Sequence, residues 1–158
     1  MRNIFFILIF ILSITPIFST VRVYRGNSSY RSDVICNVSN SKVYKGNSTY
    51  GSDIICNVSN NKVYRGNSSY KSDVICTISN GRVYKGNSTY SSDIIFNISN
   101  GKIYRNNSSY KSDIIANIDK NKIRSGNSTY NSDIKFNIDG PLTLEEFIAV
   151  WLSINYIF

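Results

Sequence analysis

From Arg22 to Pro141 the chain repeats one 20-residue unit six times without an insertion or deletion. The units open at Arg22, Lys42, Lys62, Arg82, Lys102 and Lys122. The second reads Lys42-Val-Tyr-Lys-Gly46-Asn47-Ser-Thr-Tyr50-Gly-Ser-Asp53-Ile-Ile-Cys56-Asn57-Val-Ser-Asn60-Asn61. A strict period of this length marks a repeat architecture, in which each unit buries its apolar face against its neighbours. Whatever the repeat encodes is encoded six times. A singular function therefore has to be sought where the period breaks: at Asn106, Arg124, Lys135 and the segment after the last unit.

Residues 1–20 stand apart from the repeats. Met1-Arg2-Asn3, the apolar run from Ile4 to Leu12, Pro16 and the small residues Ser19 and Thr20 have the charged, hydrophobic and cleavage regions of a secretory signal peptide. No Ala-x-Ala precedes Val21, so an uncleaved anchor is the alternative. The expected location is secreted or extracytoplasmic. A formal net charge of +8 invites anionic partners, although the cations come one or two per unit with an Asp in each. Cys36, Cys56 and Cys76 share one column with Phe96, Ala116 and Phe136. A column that accepts Cys, Phe and Ala is a packing site, and three cysteines without a CxxC pair predict free thiols.

Within a unit, Asp33-Val34-Ile35-Cys36-Asn37-Val38-Ser39 alternates like a half-buried strand. Its alternation puts Val34, Cys36 and Val38 on the core face and Asp33, Ile35, Asn37 and Ser39 towards solvent. Lys135 in place of Ile35 agrees with a solvent face. A two-residue turn follows, written Asn80-Gly81 and Asn100-Gly101 in two units, which is the hairpin signal of a type I′ turn. If residues 40 and 41 make that turn, residue 38 lies opposite 43 and residue 37 opposite 44. Val38–Val43, Val58–Val63, Ile78–Val83, Ile98–Ile103 and Ile118–Ile123 then pair, all β-branched, as cross-strand packing favours. The column Gly26, Gly46, Gly66, Gly86, Asn106 and Gly126 reads as a left-handed backbone position opening a wide, structured turn.

Two all-β architectures fit six such units, a closed or nearly closed antiparallel barrel of hairpins and a β-solenoid with a helical cap. In a solenoid the cations of successive units would stack about 4.8 Å apart and repel. A hairpin ring separates them by about 10 Å, near one Debye length. The residues after Pro141 favour the ring. Thr143 is placed as an N-cap with Glu146 at the capping-box position, and Phe147 to Leu152 leave no polar face, so the helix in 142–158 has to be enclosed. Twelve strands about 4.8 Å apart and tilted by about 40° close to a backbone diameter of roughly 24 Å, which leaves space for one helix. Phe96 and Phe136 opposite the small Cys36, Cys56, Cys76 and Ala116 would seat that helix off centre. Residues 22–141 and 142–158 then form one domain.

The repeated Gly-Asn-Ser-x-Tyr-x-Ser-Asp-Ile-Ile-x-Asn followed by Leu142-Thr-Leu-Glu-Glu-Phe-Ile-Ala-Val-Trp151 resembles the bacterial β-flower repeat proteins over about Arg22 to Trp151. Those shallow hairpin barrels are similar in turn to the Tubby-like barrel around a hydrophobic helix. The resemblance implies a fold rather than an activity. Some Tubby-like domains bind phosphoinositide head groups, but no residue of that site maps onto this chain. Six units exceed the four- or five-fold symmetry expected of the group, so ring and solenoid both stay open.

The chain has no histidine, which removes His-based triads and His metal sites. The Ser-Asp pairs from 32/33 to 132/133 occur in six equal copies, whereas catalysis needs one singular, desolvated site. No catalytic, metal or cofactor residue is expected, and the chain reads as a non-enzymatic structural or binding module. The candidate ligand surface is the outward Asn and Tyr pairing of Asn37 with Tyr44, Asn57 with Tyr64 and Asn97 with Tyr104, together with Tyr84, flanked by Lys42, Lys62, Arg82 and Lys102. An aromatic ring beside an amide and a cation suits a glycan, and the basic charge suits an anionic membrane surface. Nucleic acid is not expected, and the expected state is a monomer. The Asn-x-Ser/Thr sequons follow from turn chemistry and strand alternation.

Overall fold

A computed structural model describes residues 20–157, so the expected signal segment lies, but for Thr20, outside the described residues. β2 (Val34–Ser39) turns back into β3 (Lys42–Lys45) through Asn40 and Ser41 at φ 51° and 56°. Both residues adopt the left-handed backbone that a type I′ turn requires. The same hairpin recurs as β4 (Ile54–Ser59) and β5 (Lys62–Arg65), β6 (Val74–Ser79) and β7 (Arg82–Lys85), β8 (Ile94–Ser99) and β9 (Lys102–Arg105), and β10 (Ile114–Asp119) and β11 (Lys122–Ser125). The sixth hairpin is split between the two ends of the repeat region. β1 (Val21–Arg25) pairs with β12 (Ile134–Ile138), with Val23 opposite Ile138 and Arg25 opposite Phe136. The twelve antiparallel strands therefore form a closed barrel and leave no free edge. The solenoid is excluded, and the doubt that six units raised about closure is removed.

Within each hairpin the register is the one that β-branched pairing predicts: Asn37 faces Tyr44, and Val38 faces Val43. Between hairpins each ladder carries a bulge. Val43 lies opposite Cys56 but Tyr44 lies opposite Ile54, so Ile55 is the extra residue. That bulge corrects the expected alternation. Ile35, Ile55, Ile75, Ile95 and Ile115 pack against the core, and Asn37 is only 2% exposed. The column of Val34 moves to the outer side beside the tyrosines: Ile94, Ile114 and Ile134 are buried yet lie outside the central cluster.

Twelve equivalent hydrogen bonds give the wide turns their shape. In each unit a serine hydroxyl donates to the Asp five residues later and accepts from the backbone N–H two residues later, as Ser28 does with Asp33 and Tyr30. A single 3-10 turn, Arg31–Asp33 in the first unit, then leads into the next long strand. The left-handed column holds as predicted, with Gly46 at φ 55° and Asn106 at φ 52°. All tight turns lie at one end of the barrel and all wide turns at the other.

α1 (Leu144–Leu152) runs down the axis from the tight-turn end, and one turn of π-helix extends it through Ile157. Thr143 and Glu146 form the predicted capping box. Residues Phe147 to Ser153 are buried, as a helix without a polar face demands. The helix leans on β2 to β5, where the wall is lined by cysteines, and Cys56 Sγ lies 3.4 Å from Ser153 Oγ. The bulky side closes from across the barrel, with the Phe136 and Trp151 ring centroids 6.2 Å apart. At about 1.5–3 kcal/mol per fully buried large apolar side chain, this helix contributes on the order of 10 kcal/mol, as much as a whole domain's net stability.

Candidate functional site

The hairpin register sets the character of the wide-turn mouth. Lys45 lies directly opposite Cys36, Arg65 opposite Cys56, Lys85 opposite Cys76, Arg105 opposite Phe96 and Arg25 opposite Phe136. Opposed residues of an antiparallel pair share a face, so these five cations stand on the inner side of the wall at its last rung. The sixth unit has Ser125 there, opposite Ala116. Lys135, the bulge residue of the adjacent strand, returns the count to six. Its Nζ lies 5.9 Å from the centroid of the Trp151 ring. Lys135 therefore sits at the rim of the interior, contrary to its assignment to an outer face.

The ring surrounds the C-terminal end of the axial helix, while Glu145 and Glu146 occupy the helix's first turn at the opposite end. Both placements complement the helix dipole. Half a charge cannot neutralise six. The described residues form two ion pairs, Arg22 with Asp139 and Arg124 with Asp119, and no mouth cation takes part in either. Between Arg25, Lys45 and Lys135 the mouth opens into a hollow of about 530 Å³ whose apolar lining includes Ile35 and Ile154. Cations above an apolar floor can hold an anionic group carried on a hydrocarbon.

The expected Asn and Tyr surface has other commitments. Asn37 Nδ2 donates to the carbonyls of Gly46 at 2.9 Å and Ser48 at 2.8 Å, which pins the wide turn back against the outer wall. Asn57 and Asn97 do the same in their units. Tyr44, Tyr64 and Tyr104 are half-buried and Tyr84 is buried. Lys42, Lys62 and Lys102 are half-buried and Arg82 exposed, on the outer wall towards the tight turns and away from the mouth. Arg82 and Asn97 are opposed across β7 and β8, and they do line a shared polar hollow of about 390 Å³ with Ser99 and Asn107. Arg124 takes the tyrosine position of its unit and is buried, with Nη1 bonded to Asp119 at 2.9 Å.

The polar residues of the wide turns are engaged with one another. The recurrent aspartates are bonded to the serines of their own turns, and among the described residues no three His, Cys, Asp or Glu side chains gather in a way that could hold a metal. Burial raises Cys36 and Cys76 to a pKa of about 12 and Cys56 to about 11, the Ser153 hydrogen bond limiting the rise at Cys56. Thiols so perturbed are packing groups rather than nucleophiles. No described helix is long and apolar enough to cross a membrane.

A family model described as the 6-fold beta flower protein matches residues 23–151, nearly all of the barrel together with α1 as far as Trp151. Its six-fold symmetry replaces the four- or five-fold symmetry expected of the group. No curated protein and no solved structure matches the chain. The β-flower barrel is not a known enzyme class. With six hairpins closed around one helix and a family match spanning both, this chain belongs to the six-fold β-flower family.

Proposed function

We propose that the protein is an exported, non-enzymatic binding module whose wide-turn mouth holds anionic phospholipid head groups. The observation that carries this reading is the ring of Arg25, Lys45, Arg65, Lys85, Arg105 and Lys135, six cations on the inner side of one mouth with no ion pair among the described residues. Each basic residue near an anionic leaflet contributes about 1 kcal/mol, and the contribution weakens with salt. The apolar lining that Ile35 and Ile154 provide suits the first carbons of an acyl chain. The closed barrel offers no strand edge for pairing, which favours a monomer.

Vesicle sedimentation tests the proposal. Binding to phosphatidylserine-containing vesicles is expected at low salt, with little binding to phosphatidylcholine alone. Arg25→Glu, Lys45→Glu and Lys135→Glu together should abolish it, whereas charge reversal at Lys42, Lys62 and Lys102 should leave most of it. Equal binding to neutral and anionic vesicles, or none to either, would overturn the reading. The polar hollow at Arg82 and Asn97 supports a second reading, a glycan site, which a salt-insensitive signal on a glycan array would favour.

A further inference from the structure

Three exposed columns of the wide turn persist through all six units although the barrel makes little use of them. Asn27, Asn47, Asn67, Asn87, Asn107 and Asn127 are all exposed. Among the described residues Asn47 alone of these makes a side-chain hydrogen bond, its Nδ2 donating to the Arg31 carbonyl at 2.9 Å. Two residues on, the column reads Ser29, Thr49, Ser69, Thr89, Ser109 and Thr129, and among the described residues none of these hydroxyls has a hydrogen-bond partner. The next column is Tyr30 and its five equivalents, each 74–75% exposed. The serine between, Ser28 in the first unit, is the one the turn uses, through its bonds to Asp33 and the Tyr30 N–H.

The chain carries its own control for drift among duplicated units. The equally exposed column after the tyrosine has become Arg31, Gly51, Lys71, Ser91, Lys111 and Asn131. The column of Ser29 has also been substituted, yet only between Ser and Thr. A residue free to change that keeps its hydroxyl is held by something other than the fold. Asn-x-Ser/Thr is the acceptor pattern for asparagine-linked glycans.

The strand sequons behave in the opposite way. Asn37 is 2% exposed, and its Nδ2 is spent on Gly46 and Ser48. In this second set the fold keeps a donor to the turn while the motif lapses, with Thr77 in place of Asn and bonded to the Gly86 carbonyl, and Asp119 and Asp139 at the hydroxyl position. Asn106 also opens a sequon, but through Ser108, whose hydroxyl is bonded to Asp113.

We infer that the six wide-turn asparagines are acceptors of N-linked oligosaccharide, arranged as a ring around the outer wall, while Asn37, Asn57, Asn97 and Asn106 are not. The inference rests on the proposed export, since the donor, an oligosaccharide on a lipid pyrophosphate, is met in a secretory compartment. In the transfer the sugar C1–O bond to pyrophosphate breaks, a C1–N bond forms to the asparagine Nδ2, one amide proton is lost and the lipid pyrophosphate leaves. Because the turns are pinned back on the outer wall, the axial mouth stays clear. Each tyrosine, three residues beyond its asparagine, offers a ring face to the first sugar.

The test is expression of the full chain in a glycosylating eukaryotic secretory host, once with its own N-terminal segment and once behind a foreign cleavable leader. Acceptor sites are then mapped as Asp after peptide N-glycosidase treatment in ¹⁸O-water. Label is expected at the wide-turn asparagines and at no strand asparagine. Thr89→Ala should remove the glycan at Asn87 with no change in melting temperature. An unmodified chain delivered by the foreign leader, label at Asn37 or Asn57, or destabilisation by Thr89→Ala would overturn the inference. Glycans that appear only with the foreign leader would instead overturn the export reading and leave the acceptor assignment standing.

Discussion

Asp139 latches the end of the repeat region to its beginning. Its carboxylate accepts the Tyr24 hydroxyl at 3.1 Å and the Arg22 backbone N–H at 2.6 Å, across more than a hundred residues of chain. The Arg22 guanidinium adds a contact at 3.6 Å. The corresponding position is serine in the first four units and aspartate in the last two, where Asp119 pairs with Arg124 and Asp139 closes the seam. Asp139→Ala should destabilise the protein by about 1–3 kcal/mol, because a charged acceptor is lost and the buried side of Tyr24 must find another partner. Denaturant titration checks this, and an unchanged midpoint would show that the latch is decorative.

The staple between strand and wide turn yields a prediction of opposite sign. Asn37, Asn57 and Asn97 each reach two carbonyls, but Thr77 reaches only the Gly86 carbonyl, at 2.9 Å. Thr77→Asn should add the missing bond to the Ser88 carbonyl and stabilise the fold by about 0.5–1.5 kcal/mol. Asn57→Ala should lose about 1–3 kcal/mol, since it leaves two carbonyls without their donor. Thermal melts of both variants give the two signs directly.

Alkaline pH should loosen the core. The thiols titrate near 9.0 when exposed but at about 12 for Cys36 and Cys76 and about 11 for Cys56 in the barrel, chiefly because burial disfavours the thiolate. Above the unfolded value the folded chain retains protons that the unfolded chain has released, so stability is full below pH about 9 and falls as pH rises towards 11–12. The slope is about 1.4 kcal/mol per pH unit for each thiol. Replacement of all three by alanine, which the column already accepts at Ala116, should flatten that part of the profile. At neutral pH a thiol reagent should count three thiols in the denatured, unreduced protein and almost none in the native one.

Hairpins, register, tight turns and the enclosed helix were legible in the sequence because each has a local signature: Asn-Gly, β-branched pairs at fixed spacing, and Thr143 with Glu146. The bulge at Ile35 was not. A period-2 reading of Val34 to Ser39 cannot show which residue the neighbouring hairpin skips, since that depends on pairing between units. The slip exchanged the faces of Val34 and Ile35 and misplaced Lys135. The mouth cations were within reach, because the register that sets Asn37 against Tyr44 sets Cys36 against Lys45 one residue further on. The outer-wall Asn and Tyr pairs are the more conspicuous pattern, and nothing in the sequence reveals that the turn folds back to consume their amides.

Closure around the helix is tested most directly by removing the helix. A chain ending at Gly140 keeps all twelve strands but lacks Phe147, Ile148, Val150, Trp151 and Leu152, whose burial contributes on the order of 10 kcal/mol. A barrel built around its plug predicts that this chain has no cooperative thermal transition by circular dichroism. A sharp transition at the full-length melting temperature would contradict it, for the wall would then stand without its core.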